Sequence, residues 1–130
     1  RAADVAVIAE PGLGPVTIDP GRTRLLLRNL LDNALRHGSD AAQPPQVHLA
    51  PEDGGVRIEV RDHGPGVPED QITQMAQAFY RPDSARTRHA GGVGLGLYLC
   101  RLVAQAHGGR FELRNAQPGL AVTATLPPAA

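Results

Sequence analysis

The leucine-rich stretch from about Pro20 to Arg36 constrains this chain more than any other segment, because a helix sorts its side chains into two coherent faces. Asp19 offers an N-cap. Pro20 suits the first helical position, where its fixed φ fits and its missing N–H costs nothing. On a helical wheel Leu27, Leu30, Leu31, Ala34 and Leu35 gather on one side, and Asn29, Asn33, Arg36 and His37 gather on the opposite one. One face is expected to join a core and the other to stay available. Such a helix must lie against an apolar layer that the remaining segments supply.

Those segments read mainly as strands. Asp4 to Ala9 and Pro15 to Ile18 are short candidates split by the turn-forming Pro11-Gly12-Leu13-Gly14. Val47-His48-Leu49 and Val56 to Val60 alternate as half-buried strands, joined across Pro51 to Gly55 as a hairpin. Pro68, Glu69 and Asp70 start a short helix. Arg81 to Gly92, with Pro82, Asp83, Ser84, Arg86 and Arg88, reads as a mobile loop. A second helix runs from Leu95 to His107, with Leu95, Leu99, Leu102, Val103 and Ala106 at core spacing and Gly108-Gly109 as its stop. Phe111 to Leu113 and Leu120 to Leu126 close the chain around a Gln117-Pro118-Gly119 turn. The order β-β-α-β-β-α-α-β-β predicts an α/β (α+β) two-layer sandwich, a mixed and mostly antiparallel sheet covered on one face by about three helices. No linker is long enough to divide it, so residues 1–130 read as one domain.

Thirteen basic residues cancel thirteen acidic ones, which argues against a nucleic-acid footprint or a polybasic membrane patch, so any phosphate binding must be local. The single Cys100 falls in an apolar helical pattern and reads as a small buried hydrophobe. No apolar run approaches the roughly 20 residues that a membrane helix needs, so the expectation is a soluble piece without direct membrane contact. Arg1 stands where an initiator Met would, so the expectation is a fragment of a longer chain or a trimmed one.

Three clusters carry chemistry. Gly91-Gly92-Val93-Gly94-Leu95-Gly96-Leu97 is neither a dinucleotide fingerprint, whose third glycine would fall on Leu97 or Leu99, nor a Walker loop, since Leu97-Tyr98 replaces Lys and Ser/Thr. What remains is a glycine-rich lead into a helix, whose free N–H groups suit a polyphosphate. Asn29 and Asn33, four apart, offer neutral amide oxygens. Mg²⁺ accepts such oxygens alongside phosphates and water, without the charge repulsion a carboxylate would add. Arg36 can reach a phosphate oxygen, and His37 can close the edge of the site. Asp62, before Gly64 and Gly66, sets an acceptor-only carboxylate beside backbone without Cβ bulk. It would pair with the exocyclic amino group of adenine and repel the carbonyl at that position of guanine.

In order and spacing these clusters resemble sensor histidine kinases. Asn29-Leu30-Leu31-Asp32-Asn33-Ala34-Leu35-Arg36-His37 is similar to the family's N box, Asp62-His63-Gly64-Pro65-Gly66 to its G1 box, Phe79-Tyr80-Arg81 to its F box, and Gly92-Val93-Gly94-Leu95-Gly96-Leu97 to its G2 box. The resemblance extends from about Val5 to Pro127. It implies the Bergerat ATP-binding fold, with ATP and Mg²⁺ as ligands. Asn33 would coordinate Mg²⁺, Asn29 and Arg36 would position the phosphates, and Asp62 would bind the adenine amino group. His37, Gly64, Gly66, Val67, Tyr80, Arg81, Gly92, Val93, Gly94, Leu95, Gly96 and Leu97 would line the nucleotide, and Arg81 to Gly91 would form the lid. Arg36 stands where the family often has Lys, so the charge survives in a planar fork.

Hydrolysing relatives, as the resemblance implies, carry Glu at the first N-box position. Asn29 is a poor general base, because an amide takes up no proton near neutral pH, so slow hydrolysis is expected. The family's phosphoacceptor is a His followed by an acidic residue, and none of His37, His48, His63, His89 or His107 has that neighbour. The nucleophile is therefore expected on a separate dimerisation and phosphoacceptor domain, with a response regulator downstream and no autophosphorylation by this chain alone. The expected setting is the cytoplasmic end of a membrane-anchored kinase, and the piece itself is expected to be monomeric. The alternatives are an ATP-binding regulatory module without phosphotransfer, and an anti-sigma-type protein-serine kinase, for which Glu would be expected at position 29.

Overall fold

A computed structural model describes residues 5–15, 17–38, 40–77 and 96–128. Among them, five strands form one sheet: β1 (Ala6–Ala9), β2 (Gln46–Glu52), β3 (Gly55–Arg61), β4 (Arg110–Asn115) and β5 (Leu120–Leu126), in the spatial order β1-β2-β3-β5-β4. β1 runs parallel to β2, and the other three pairings are antiparallel. The register follows from which residues must avoid water. Val60 lies opposite both Val47 and Val122, Ile58 opposite Leu49 and Ala124, and Val56 opposite Leu126, so one face is continuously apolar. The other face is polar and laced across strands. Arg114 reaches Glu59 at 2.9 Å, Arg57 lies 3.8 Å from Glu52, and Arg110 also bonds Glu52. These long side chains cover Thr123 and Thr125, which is why the inner strand β5 is buried along its whole length.

Three helices are described: α1 (Pro20–His37), α2 (Glu69–Ile72) and α3 (Gly96–Ala106). Asp19 caps α1 as expected, its Oδ1 accepting the Arg22 N–H at 3.0 Å, and that bond holds its carboxyl below the usual range. The buried stripe of α1 is Thr23, Leu26, Leu30 and Ala34, with Leu27, Leu31 and Leu35 only partly buried on one flank. At about 100° per residue, Asn33 and Asn29 lie about 65° and 105° from the centre of that stripe, on the other flank. This corrects the expected wheel, which omitted Leu26 and set the amides opposite the core. Both amides are half-buried at the margin of the core.

α3 also turns a different face inward. Leu97, Cys100, Val103 and Ala104 are buried, whereas Leu102 is 40% exposed, Ala106 is exposed and Leu99 is half-buried. α1 and α3 run in opposite directions. Cys100 Sγ approaches Leu26 O at 3.6 Å near their middle, and the Asp19 N–H donates to His107 Nε2 at 3.4 Å where α1 begins and α3 ends. The small Cys100 and Ala104, both fully buried, permit this close helix contact, and burial pushes the Cys100 thiol pKa up to about 12.

Strand ends depart from expectation as well. β2 and β3 extend until only Asp53-Gly54 joins them, both at positive φ, as a two-residue hairpin with this dipeptide requires. Pro15, Thr17 and Ile18 form no strand, because α1's cap follows at once and Ile18 packs against the core instead.

Candidate functional site

Asp62 lies just beyond β3, 1% exposed, where the chain leaves the sheet. Its Oδ1 accepts the Gly64 N–H at 2.9 Å and the Leu120 N–H at 3.3 Å, while its own N–H donates to Leu120 O at 3.1 Å. The carboxylate is therefore fixed in direction by β5 and by its own loop, and Oδ2 takes neither of those bonds. A buried acceptor held in this way selects a partner that donates.

Two glycines let neighbouring elements reach this loop, one through backbone and one through a side chain. A Cβ at Gly64 would stand 2.1 Å from His37 O, so the last turn of α1 and the loop after β3 touch through their main chains. Gly66 has φ +74°, and a Cβ there would meet Asn115 Oδ1 at 2.5 Å. Asn115, at the end of β4, went unnoticed in the sequence because its partners are remote. It accepts the Val67 N–H at 3.0 Å and donates to Val67 O at 2.7 Å and to Glu69 Oε2 at 2.9 Å.

Asn29 Nδ2 donates to Leu25 O at 3.0 Å, one turn back along α1. Its Oδ1 then faces the start of α3, 3.7 Å from where a Cβ on Gly96 would stand. The amide-bearing helix and the helix that follows the glycine cluster thus meet at these two residues. Asn33 is half-buried, and its side-chain amide has no hydrogen-bond partner among the described residues. Arg36 is exposed and His37 half-buried on the last turn of α1, His37 meeting Gly64 through its carbonyl. Leu97 and Val67 are buried in the core, so each side chain serves packing first. Tyr80, Arg81, Gly92, Val93, Gly94 and Leu95 lie outside the described residues, as do Phe79 and the loop bearing Arg86 and Arg88. Among the described residues no group of three or more His, Cys, Asp or Glu side chains could hold a metal, so a metal here would rely on amide oxygens and ligand atoms. A cleft of about 570 Å³ between α2, α3 and β4 is lined by none of the candidate residues.

A one-sided sheet, a buried carboxylate at the mouth of a loop, and an amide-bearing helix packed antiparallel to a helix with a glycine-rich lead define an ATP-binding α/β sandwich. The family model described as histidine kinase-, DNA gyrase B-, and HSP90-like ATPase matches residues 18–130, and the chain belongs to that family. It is 41% identical over 105 residues to the signal transduction histidine-protein kinase AfsQ2 of Streptomyces coelicolor, covering 81% of this chain and 19% of that protein. Identity to the signal transduction histidine-protein kinase BaeS of Escherichia coli is 36% over 115 residues, covering 86% of this chain and 24% of that one. The chain therefore spans about a fifth to a quarter of these relatives. Among solved structures, the ATP binding domain of PrrB from Mycobacterium tuberculosis superposes with a TM-score of 0.70 at 29% identity, covering 98% of this chain and 82% of that one.

Proposed function

We propose that this chain is the nucleotide-holding half of a protein-histidine kinase, which binds Mg·ATP and offers its γ-phosphate to a histidine on a separate helical domain. The observation that carries the reading is Asn29. At the position where hydrolysing relatives would need a carboxylate to activate water, this chain has an amide tied to Leu25 O at 3.0 Å, which cannot take up a proton. Water is left unassisted, and a nucleophile from outside has the advantage.

In this reading Asp62 accepts from the exocyclic amino group of adenine, and Gly64 and Gly66 let the loop that carries the contact pack closely on His37 and Asn115. Asn29 Oδ1 and the Arg36 guanidinium orient the phosphates. The amide oxygens suit Mg²⁺, with Asn33 holding it, and the ion would offset charge as the phosphoryl group moves. The bond from the γ-phosphorus to the bridging oxygen breaks, a bond to the imidazole nitrogen forms, and ADP leaves. A response regulator would then receive the phosphoryl group. No helix among the described residues is long and apolar enough to cross a membrane, and the proposed setting is the cytoplasmic side of a membrane-anchored kinase.

The test is to incubate the chain with labelled ATP, with and without the helical hairpin domain of the same kinase. Acid-labile label on a hairpin histidine, and none on the chain alone, supports the proposal. Phosphoserine, or ATP turnover with no transfer, contradicts it.

A further inference from the structure

The loop from Asp62 to Glu69 is gripped at both ends by one segment, the turn between β4 and β5. At the near end, Leu120 O accepts the Asp62 N–H and the Leu120 N–H donates to the Asp62 carboxylate. At the far end, the Asn115 amide closes on both the N–H and the C=O of Val67 and spends its remaining proton on Glu69. The turn is itself braced. Ala116 N–H donates to Gly119 O at 2.8 Å, and the Arg61 guanidinium donates to Ala116 O at 3.3 Å and Pro118 O at 3.0 Å. Between the two grips lie His63, Gly64, Pro65 and Gly66, tied by His63 Nδ1 to Pro44 O at 3.1 Å and by the Gly64 N–H to Asp62 Oδ1 at 2.9 Å, with Gly64 packed on the His37 main chain. Gly66 is where the far grip could not tolerate a side chain, since its Cβ would fall 2.5 Å from Asn115 Oδ1.

We infer that Asn115 is a positioning residue of the nucleotide site, holding the span from His63 to Gly66 in the shape that receives the base. The inference rests on the reading of Asp62 and its loop as the adenine contact. Asn115 touches no nucleotide in this scheme; it removes freedom that the loop would otherwise lose on binding. Asp62 is anchored separately by Leu120, so the two grips have different signatures. Loss of the Leu120–Asp62 end should blur the choice of base, whereas loss of Asn115 should weaken all adenine nucleotides and leave that choice intact.

The experiment is calorimetry of ADP and GDP with the wild-type 130-residue chain, Asn115→Ala and Asn115→Asp, alongside thermal melts and amide hydrogen exchange. Both variants should bind ADP about tenfold more weakly and keep the ADP-to-GDP ratio, while Asn115→Ala alone should lose exchange protection at Val67, whose N–H the Asp carboxylate still accepts, and the strands should keep theirs. The Asp variant keeps the shape and loses both donated bonds. Adding Glu69→Gln to it supplies a donor to the new carboxylate and should recover part of the affinity. A wild-type chain that takes up no ADP removes the site and the inference together. A wild-type chain that binds, with both variants within about twofold of it, overturns the inference alone. Failure of both variants to fold would make Asn115 a residue of the fold and also overturn it.

Discussion

Replacing Gly64 by alanine adds one methyl group where the last turn of α1 meets the loop after β3. The new Cβ would stand 2.1 Å from His37 O and 3.0 Å from His37 C, and real contacts of this kind do not fall below 3.0 Å, so the two main chains must part by about 1 Å. Both colliding atoms are backbone, so no rotamer change relieves the clash. Overpacking of this sort destabilises by about 1–3 kcal/mol, which for a domain of this size lowers the melting temperature by about 4–11 °C. The displacement also stretches the 2.9 Å bond from Gly64 N–H to Asp62 Oδ1 and separates the two elements that carry Arg36 and Asp62. ADP affinity should therefore fall with stability. Gly21→Ala is the control: its Cβ meets only Asp19 Oδ1 at 3.6 Å, an ordinary contact with the N-cap, and the change should leave stability unaltered or raise it by up to about 1 kcal/mol. Circular-dichroism melts and ADP calorimetry on both variants decide the matter. If Gly64→Ala melted with the wild type and bound ADP equally well, the reasoning from backbone contact would be refuted.

Asn33→Ala should weaken nucleotide binding more in magnesium than in EDTA, and an equal loss in both would take Asn33 away from the metal. Cys100 should not react with a thiol reagent in the folded chain at pH 8 and should react fully on denaturation, since burial pushes its pKa up to about 12; rapid native labelling would contradict the packing of α1 on α3. Because that folded value lies above the ordinary 9.0, the unfolded thiol ionises first, and the stability Cys100 contributes should decline as the pH rises from about 9 toward 12. Asp19 has the opposite sign: its carboxyl is held low by the Arg22 N–H, so its contribution is present above the ordinary 3.8 and is lost as the pH falls through its lowered value. Asp19→Ala should accordingly melt below the wild type at neutral pH, and the gap should close in acid; a pH-independent gap would mean that the charge plays no part in the cap.

The layers, the mixed sheet and the acidic loop were legible in the sequence because each rests on local patterns, alternation in β2 and β3 and a carboxylate followed by glycines. Helix phase was not. Leu25, Leu26, Leu27, Leu30, Leu31 and Leu35 nearly encircle α1, so periodicity alone could not choose among faces. Antiparallel packing against α3 chose Leu26 and Leu30, and it left Asn29 and Asn33 half-buried beside the core. In α3 the larger leucines drew attention from Cys100 and Ala104, although small residues are what a close helix contact needs. Asn115 could not be found by any local signal, because the backbone it holds is 48 positions away in the chain.

The central claim is that a single fixed carboxylate, Asp62, reads adenine in this pocket. Calorimetry of ADP and GDP in magnesium against the wild-type chain and Asp62→Asn tests it most directly. The account expects a clear preference for ADP in the wild type and its collapse in the variant. No uptake of ADP by a folded wild-type chain at about 1 mM, or a preference unchanged by Asp62→Asn, would contradict it.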